Sequence, residues 1–287
     1  MKSLILTISC SDKPGIVAEV TKFLFKNGFN ILESGQFNDK YTDNFFMRTE
    51  FQLHDKKNSF FENLFDELKD KFNSEVANNL GMTWEMTYAE EKIPALILIS
   101  KEDHCLNNII SKIDNINISI KGVISNHEIH KKTVEQKGID FYYLPVNKKN
   151  KLSQEKEILK IYNSTNSKLI ILARYMQILS EDMCKLIEGN AINIHHSFLP
   201  GFKGAKPYHQ AQRRGVKIIG ATAHYVTSDL DEGPIIEQET LRVNHSMPIE
   251  KLIEMGKDIE SIVLAKAVQL HCEKRVFLNN NKTVIFE

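Results

Sequence analysis

The 287-residue chain is long enough for two domains, and 42% of its residues are hydrophobic, so it can bury a substantial core. Its 37 Lys and Arg residues balance 37 Asp and Glu residues, which gives a formal net charge of +0. A nucleic-acid-binding protein usually carries a basic excess, and this chain shows none, so we expect no nucleic-acid partner.

The sequence also carries no sign of an oxidising or membrane environment. Its four cysteines lie far apart without a C-x-x-C pair, which argues against a zinc site or a disulfide framework. The apolar run at the N-terminus is only about seven residues long and soon reaches Asp12, so a strand explains it better than a signal peptide. No stretch approaches the ~18 apolar residues of a membrane span. We therefore expect a cytoplasmic protein without a membrane partner.

The first part of the chain alternates between strand-like and helix-like patterns in the order β-α-β-β-α-β, which is the ferredoxin-like arrangement. The first helix is expected to have Ser11 or Asp12 as its N-cap, Pro14 in its first turn and Gly28 at its end. The predicted strands cover 4–10, 29–38, 44–53 and 81–88, and the predicted helices lie within 11–28 and 59–73.

Charge and a proline interrupt the pattern at 89–94, and the rhythm changes after this segment. Apolar strand-like runs then alternate with helix-like segments, which predicts a parallel sheet with helices on both faces. Two later strands are consistent with antiparallel additions, and a long helix follows with Ser246 as cap and Pro248 in its first turn. The predicted strands are 95–99, 118–124, 168–173, 191–194, 217–226 and 234–243, and the predicted helices are 103–114, 128–137, 152–164, 180–188 and 246–271.

The fold class is therefore α/β, with an N-terminal ferredoxin-like α+β domain followed by a doubly wound, mostly parallel Rossmann-like domain. Open α/β sheets bind ligands at the carboxyl ends of their strands, and Asn193 and His195 lie at such an end. A histidine can take or give a proton, and an asparagine amide can stabilise an oxyanion. Together they make half of a site for attack on a carbonyl. The best candidate for the missing carboxylate is the acidic loop that contains Asp229 and Asp231.

Each of these residues also has a purely structural interpretation. A lone histidine near a strand end is more often structural than catalytic, and an aspartate before Gly-Pro more often forms a turn. Four histidines, at 195, 196, 209 and 224, raise the question of a metal, but no compact ligand spacing such as H-E-x-x-H is present. We therefore expect no metal site.

Three sequence blocks decide between these interpretations: "LARYMQILS" (172–180), "NIHHSFLPGF" (193–202) and "ATAHYVTSDLDEGPI" (221–235). In order and spacing they resemble the signature blocks of formyltransferase-type folate enzymes, which read roughly L-A-x-x-M-x-I-L, N-I-H-x-S-L-L-P and H-x-V-x-x-x-x-D-x-G-P-I. The segments "GVISNHE" (122–128) and "GAKPYHQA" (204–211) are similar to the branch of that family that removes the formyl group with water. The N-terminal unit with "SDKPGIV" resembles an ACT domain, so the resemblance covers nearly the whole chain.

The resemblance implies hydrolysis of 10-formyltetrahydrofolate to tetrahydrofolate and formate, which supplies formate for purine synthesis and balances the folate pool. It implies a catalytic set of Asn193, His195 and Asp231, with His224 in a supporting role. No cofactor is implied, because the formyl folate is the substrate. The residues implied to bind the folate are Arg174, Met176, Gln177, Ile178 and Leu179 on one side of the ring, and Thr227 and Asp229 on the other.

The resemblance also implies a domain organisation of an ACT-like unit at 1–88, a linker at 89–94 and a formyltransferase-type catalytic domain at 95–287. ACT units often pair through their sheets and bind small amino acids near the loop that contains Asp12 and Gly15 here. This implies a homo-oligomer, a dimer or tetramer, and an amino-acid effector at that loop. The simpler alternative is that the unit serves only in assembly.

Two other functions stay open at this point: a formyltransferase that acts on an amine, and a non-catalytic sensor. Transferases of this fold that formylate a phosphorylated amine carry a Gly/Ser/Asn-rich loop whose helix N-terminus cradles the phosphate. The corresponding loop here, "SKEDHCLNN" (100–108), has no glycine and carries Glu102 and Asp103, although Ser100 and Lys101 remain as anion ligands. This loop favours water as the acceptor, and the intact catalytic set argues against a sensor.

Overall fold

The computed structural model of the chain describes residues 3–54, 61–201 and 207–287, without the side chains of 61–64. Its contacts divide the chain into two compact units. The first contains the chain up to Glu91 together with Glu273–Asn279 and Val284–Glu287, and the second contains Lys92–Cys272 together with Asn280–Thr283. Within the described ranges, no helix has the length and apolar character that crossing a membrane requires.

The first unit confirms the predicted β-α-β-β-α-β order. Its four strands form an antiparallel sheet in the order β2-β3-β1-β4. Alternate residues of the first strand, such as Leu4, Leu6 and Ile8, join the apolar core that the helices cover, as the two-residue period of a strand requires. The elements are β1 (Leu4–Ser11), α1 (Ile16–Lys26), β2 (Phe29–Asp39), β3 (Asn44–Leu53), α2 (Phe61–Phe72), a π-helical turn (Asn73–Ala77), α3 (Asn78–Leu80) and β4 (Thr83–Tyr88).

Helix α1 begins later than predicted, so the prediction of Ser11 or Asp12 as its cap is wrong. Ser11 still pairs with Asn44 in the sheet, and Gly15 with φ 95° directly precedes the helix. Glycine adopts this left-handed conformation at little cost. The predicted end at Gly28 is confirmed, since α1 stops at Lys26 and Gly28 has φ 79°. Residues 59 and 60, at the predicted start of the second helix, lie outside the described residues.

The second unit confirms a mostly parallel sheet with helices around it. The strand order is β11-β10-β9-β8-β5-β6-β7, in which β5 to β9 pair in parallel and β10 and β11 are antiparallel. The short strand β7 and the helix α8 escaped prediction. The elements are β5 (Ile93–Ile99), α4 (His104–Ser111), β6 (Ile118–Ser125), α5 (Lys131–Glu135), β7 (Phe141–Tyr143), α6 (Lys151–Ser164), β8 (Leu169–Leu172), α7 (Glu181–Leu186), β9 (Ala191–His195), α8 (Pro207–Arg214), β10 (Ile218–Tyr225), β11 (Ile235–Arg242) and α9 (Ile249–Cys272).

The start of the long helix α9 also differs from the prediction. The Ser246 hydroxyl donates a hydrogen bond to the Asn244 side-chain oxygen at 2.7 Å and therefore closes a local turn instead of capping the helix. The Pro248 carbonyl accepts hydrogen bonds from the N–H groups of Lys251 and Leu252, at 3.1 and 3.3 Å. Pro248 thus stands at the N-cap position, and the helix begins at Ile249.

The boundaries of the two units differ from the predicted domain boundaries in two places. The segment 89–94 is not entirely a linker, because Ile93 already pairs with Ile118 in the parallel sheet. The C-terminal residues were assigned with 95–287, but much of this segment belongs to the first unit. There the Arg275 guanidinium binds the Glu33 carboxylate at 2.9 Å. The last residues form a two-stranded sheet of β12 (Val276–Asn279) and β13 (Lys282–Ile285), which was not predicted.

Candidate active site

The site is built at one edge of the second unit's sheet, where neighbouring strands end. Strands β8 and β9 are parallel, and Leu172 near the end of one pairs with Asn193 near the end of the other. On the opposite side of β9, His224 of β10 pairs with Asn193. Because residues two apart in a strand face the same side, Asn193 and His195 present their side chains to one face of the sheet.

His195 is held from both sides of its ring. Its Nδ1 lies 3.1 Å from Asp231 Oδ1, and its Nε2 lies 2.9 Å from the Ser197 hydroxyl. Only 4% of the His195 side chain and 13% of the Asp231 side chain are exposed. Burial alone would raise the pKa of Asp231, but the hydrogen bond and charge of His195 bring it below its usual value. Asp231 is therefore an ionised carboxylate that faces an imidazole.

A tight loop brings Asp231 to this position. The backbone of Asp231 has φ 59°, a left-handed conformation that aspartate tolerates better than most residues. The Tyr225 N–H donates a hydrogen bond to the Pro234 carbonyl at 2.9 Å, which closes the loop onto β10. A Cβ at Gly233 would lie 1.8 Å from the Tyr225 carbonyl oxygen, so only glycine fits there. Asp231 therefore both forms the turn and places its carboxylate beside His195, so the structural and the functional interpretations of this loop hold together.

Replacing Gly233 with alanine should displace the loop and move Asp231 away from His195. For the hydrolysis that the resemblance implies, we expect kcat to fall about 10²-fold, because misplacing a catalytic group by about 1 Å lowers the rate by about this factor. Formate release is the measurement. Gly138→Ala is the control. Its φ of 72° means that alanine strains the backbone there, but the added Cβ meets no atom within 4 Å. An equal loss of kcat in both variants would contradict a specific role for Gly233.

His224 orients the amide of Asn193. The Tyr225 carbonyl lies 2.8 Å from His224 Nδ1 and can only accept, so Nδ1 carries the proton and Nε2 has the lone pair. Asn193 Nδ2 then donates to that Nε2 at 3.2 Å. Burial lowers the pKa of His224, which keeps the ring neutral and able to accept. One N–H of the Asn193 amide is therefore held by His224, and this contact fixes the direction of the second N–H.

A cavity of about 320 Å³ contains these groups. It brings together every residue that was predicted for catalysis and for folate binding, although their roles stay predictions. Of its apolar walls, Met176 is 56% exposed and Ile178 is 61% exposed, so both present surface to a ligand. The predicted residues that line the cavity are Arg174, Met176, Gln177, Ile178, Leu179, Asn193, His195, His224, Thr227, Asp229 and Asp231.

The loop after β8 is fixed by two residues that were not predicted for this role, Ser100 and Asn126. The Met176 N–H donates a hydrogen bond to the Ser100 hydroxyl at 2.9 Å, and that hydroxyl donates to the Asn126 side-chain oxygen at 2.7 Å. Asn126 lies in the segment "GVISNHE". The similarity of this segment to the hydrolytic branch of the family was the only sequence feature that pointed to Asn126. This chain of hydrogen bonds sets the backbone of the wall that the folate ring is predicted to contact.

Asp12 and Gly15, predicted as an effector loop, belong to the first unit and do not line this cavity. The Asp12 carboxylate accepts a hydrogen bond from the Asn38 amide. The Asp12 N–H donates to the Asp43 carbonyl at 3.0 Å. The loop is therefore ordered by contacts with the β2–β3 turn.

A second polar group in this unit centres on Glu260 of α9, which is 1% exposed. Its carboxylate accepts hydrogen bonds from the Tyr208 hydroxyl at 2.5 Å and from His104 Nε2 at 2.9 Å, and Arg174 Nε lies 3.3 Å away. Burial alone would raise the pKa of Glu260, but His104 and Arg174 bring it below its usual value. We call Arg174, Glu260, Tyr208 and His104 the Glu260 cluster.

Among the described residues, His104, Cys105 and Glu260 form a group that could meet around a metal ion. The guanidinium of Arg174 beside Glu260 opposes a further cation at that place. Burial raises the pKa of the Cys105 thiol, so the thiolate that a metal requires is disfavoured. The chemistry of these donors therefore does not fit a metal site.

The chain is similar to known proteins both in sequence and in structure. Residues 94–268 match the formyl transferase family. A formyltetrahydrofolate deformylase of Bacillus subtilis is 46% identical over 287 residues, which cover 98% of this chain and 93% of the relative. The crystal structure of a formyltetrahydrofolate deformylase from Burkholderia mallei is 41% identical with a TM-score of 0.93 and covers 100% of both chains.

A second kind of relative covers only part of the chain. The structure of a phosphoribosylglycinamide formyltransferase from Coxiella burnetii is 29% identical with a TM-score of 0.63. It covers 68% of this chain and 94% of its own. The likeness to deformylases, in contrast, extends over both units. The chain belongs to the formyl transferase family, and within that family to the formyltetrahydrofolate deformylases.

Proposed function

We propose that Asn193, His195 and Asp231 carry out the hydrolysis of 10-formyltetrahydrofolate to tetrahydrofolate and formate. The observation that carries this assignment is the 3.1 Å contact between His195 Nδ1 and Asp231 Oδ1 beside Asn193 in one cavity. The reaction class is attack of water on the formyl carbon, and it needs a base, an oxyanion donor and a held folate ring.

Asp231 accepts the proton from water. Its Oδ1 is engaged by His195, which leaves Oδ2 to receive a hydrogen bond from a water in the cavity. The Asp231 side chain is more exposed than that of His195, whose second ring nitrogen faces Ser197. This arrangement supports Asp231 as the group that meets water, with His195 as the group that orients the Asp231 carboxylate and shares the proton.

The attack turns the formyl carbonyl oxygen into an oxyanion. The free N–H of the Asn193 amide, aimed by His224, donates a hydrogen bond to that oxygen, and protonated His195 adds positive charge. When the intermediate collapses, the bond between the formyl carbon and N10 breaks and N10 takes a proton. Formate leaves with an oxygen that came from water, and tetrahydrofolate is the second product. No metal or cofactor enters this scheme.

The folate ring lies between two walls of the cavity. The loop 174–179 supplies backbone groups and the exposed apolar side chains of Met176 and Ile178. Thr227 and Asp229 form the facing wall, where the Thr227 hydroxyl donates to the Asp229 carbonyl at 3.1 Å. Burial of the pterin ring between such surfaces provides binding that does not depend on the reacting formyl group.

The alternative function is transfer of the formyl group to an amine. The similarity of the second unit to a transferase is the observation that favours this alternative. The N-terminus of α4 is where such a fold would hold a phosphate, but Glu102 and Asp103 stand before it and His104 is bound to buried Glu260. Negative charge at this position opposes a phosphate dianion. We therefore place hydrolysis first.

We further propose that the first unit is an ACT domain that assembles the chain into a dimer or tetramer and binds a small amino acid near Asp12 and Gly15. The four-stranded sheet and the glycine-containing loop after β1 support this proposal. A cytoplasmic enzyme of this kind would supply formate for purine synthesis. Equilibrium binding of amino acids to the full chain, with analytical ultracentrifugation, tests the effector and the assembly together.

The test of hydrolysis uses purified protein and 10-formyltetrahydrofolate without any other acceptor. Formate and tetrahydrofolate should appear in equal amounts, and His195→Ala should lose both products. Tight folate binding without turnover would mean that an acceptor is missing, and transfer would then replace hydrolysis as the function.

A further inference from the structure

Arg174 has a backbone conformation that normally belongs to glycine. It lies in the loop after β8 with φ 67°, in the left-handed region that is costly for a long side chain. Its position is one of the unspecified places of the family block L-A-x-x-M-x-I-L. A strained backbone of this kind persists only where the surrounding structure holds it in place.

The Arg174 side chain makes its contacts with the Glu260 cluster, at one border of the cavity. Arg174 Nε lies 3.3 Å from Glu260 Oε2, and the Arg174 side chain is 14% exposed. Its Nε and Nη1 atoms are buried and make no hydrogen bond with any residue in the described part of the chain. Donors that are enclosed in this way are not available to a folate. The Arg174 side chain therefore occupies volume beside the cavity and places a positive charge next to Glu260, and it does not bind a ligand through these atoms.

The other members of the cluster are built to hold this side chain. A Cβ at Gly256 would lie 2.1 Å from the ring of Tyr208, so the absence of a side chain there makes room for that ring. The Tyr208 hydroxyl then reaches Glu260, one turn further along α9, while His104 approaches the same carboxylate from α4. Three separate segments thus converge on the carboxylate that neutralises Arg174.

The cluster stands directly behind the catalytic histidine. Arg174 lines the same cavity as His195 and Asp231. The ring of His196 stacks on His195 with centroids 5.3 Å apart, and it lies 6.3 Å from the ring of Tyr208. Burial and the charge of Arg174 lower the pKa of His196 to about 4, so this spacer between the two groups is neutral.

We propose that Arg174, held by Glu260, Tyr208 and His104, fills the space through which an amine would reach the formyl carbon, and so restricts the acceptor to water. This specificity role rests on the proposed hydrolysis. With the space open, the lone pair of a small primary amine forms a bond to the formyl carbon and the bond to N10 breaks. N10 takes the proton that the amine loses, and an N-formyl amine replaces formate as product.

The test compares the parent protein with Arg174→Gly, a change that suits the left-handed backbone. Both are given 10-formyltetrahydrofolate and hydroxylamine, a small nucleophile that is unprotonated at neutral pH. The readout is the ratio of formylated hydroxylamine to formate after subtraction of the uncatalysed reaction, and this ratio does not depend on the total rate. We expect the ratio to rise at least about tenfold in Arg174→Gly, in line with the discrimination that pocket shape alone provides.

Two matched variants control for bulk and strain. Arg174→Lys keeps a long cation at the site and should keep the ratio of the parent. Lys274→Gly makes the same kind of change at another left-handed position, with φ 55° in the first unit, and should also keep the ratio. Arg174→Gly leaves the buried Glu260 carboxylate without its cation, which can prevent folding. The double variant Arg174→Gly/Glu260→Gln also removes the negative charge, and it replaces the single variant in the test if that variant does not fold.

A folded Arg174→Gly or double variant that forms only formate, or that releases no tetrahydrofolate at all, would overturn the proposal. Absence of formate release from the parent protein would instead overturn the proposed hydrolysis. The two failures are therefore distinguishable within one experiment.

Discussion

The Asp231→Asn enzyme should release formate from 10-formyltetrahydrofolate about 10³-fold more slowly than the parent protein, because general base catalysis and its orienting partner are lost together. This variant lacks the carboxylate that is proposed to receive the proton from water. The new amide also offers a donor as well as an acceptor to His195 Nδ1, which no longer fixes the imidazole in one tautomer. KM should change little, since the walls that hold the folate ring are unaltered.

Steady-state formate release under single-substrate conditions checks this expectation. Glu232→Gln is the matched control, because it removes a carboxylate from the adjacent, exposed position of the same loop. A loss of similar size in Glu232→Gln would point to the general charge of the loop. An Asp231→Asn enzyme with near-parental kcat would rule Asp231 out as the base and move the role to His195.

The pH dependence of stability provides a separate test of the same contact. The folded-state pKa of Asp231 is lowered, so its contact with His195 stabilises the protein above the unfolded pKa of about 3.9 and this stabilisation is lost as pH falls through the folded value. The difference in unfolding free energy between the parent and Asp231→Asn should therefore shrink below about pH 4. Urea unfolding at a series of pH values measures this difference, and a difference that grows below about pH 4 would contradict the contact.

The sequence predicted the elements whose signals are local. Regular apolar periods located the long helices and all strands except β7, β12 and β13. The three family blocks located one cavity. Asn193 and His195 could be placed together because a two-residue spacing in a strand fixes a common face. The sequence pattern alone did not place Asp231 beside His195, since an acidic turn before Gly-Pro is common for structural reasons alone.

What escaped prediction depends on contacts between distant parts of the chain. Glu260 reads as one more charged residue of a long amphipathic helix, and only the fold brings Tyr208, His104 and Arg174 to it. The C-terminal segment failed for the same reason, because the partner of Arg275 is Glu33, 242 residues earlier. No local sequence pattern indicates that a charged residue is buried, because the fold brings its partner from a distant part of the chain.

Replacing Asn193 with alanine should lower kcat about 10²- to 10³-fold, which is the usual effect of removing one oxyanion donor. In the proposed mechanism the amide meets the developing charge in the transition state and makes no comparable contact with the ground-state carbonyl, so kcat should fall more than KM rises. Asn190→Ala is the matched control, because its amide lies on the surface just before β9 and donates to the Glu188 carbonyl at 3.2 Å.

The position of His224 strengthens this expectation. Its Nε2 accepts one N–H of Asn193 and so prevents the amide from rotating, and a neutral ring is needed for that acceptance. His224→Phe should therefore cause part of the Asn193→Ala loss, and adding it to Asn193→Ala should cost little more, since both act through one amide. Fully multiplicative losses in the double variant would show that His224 acts independently. A loss confined to KM in Asn193→Ala would place the amide on the folate ring and away from the oxyanion.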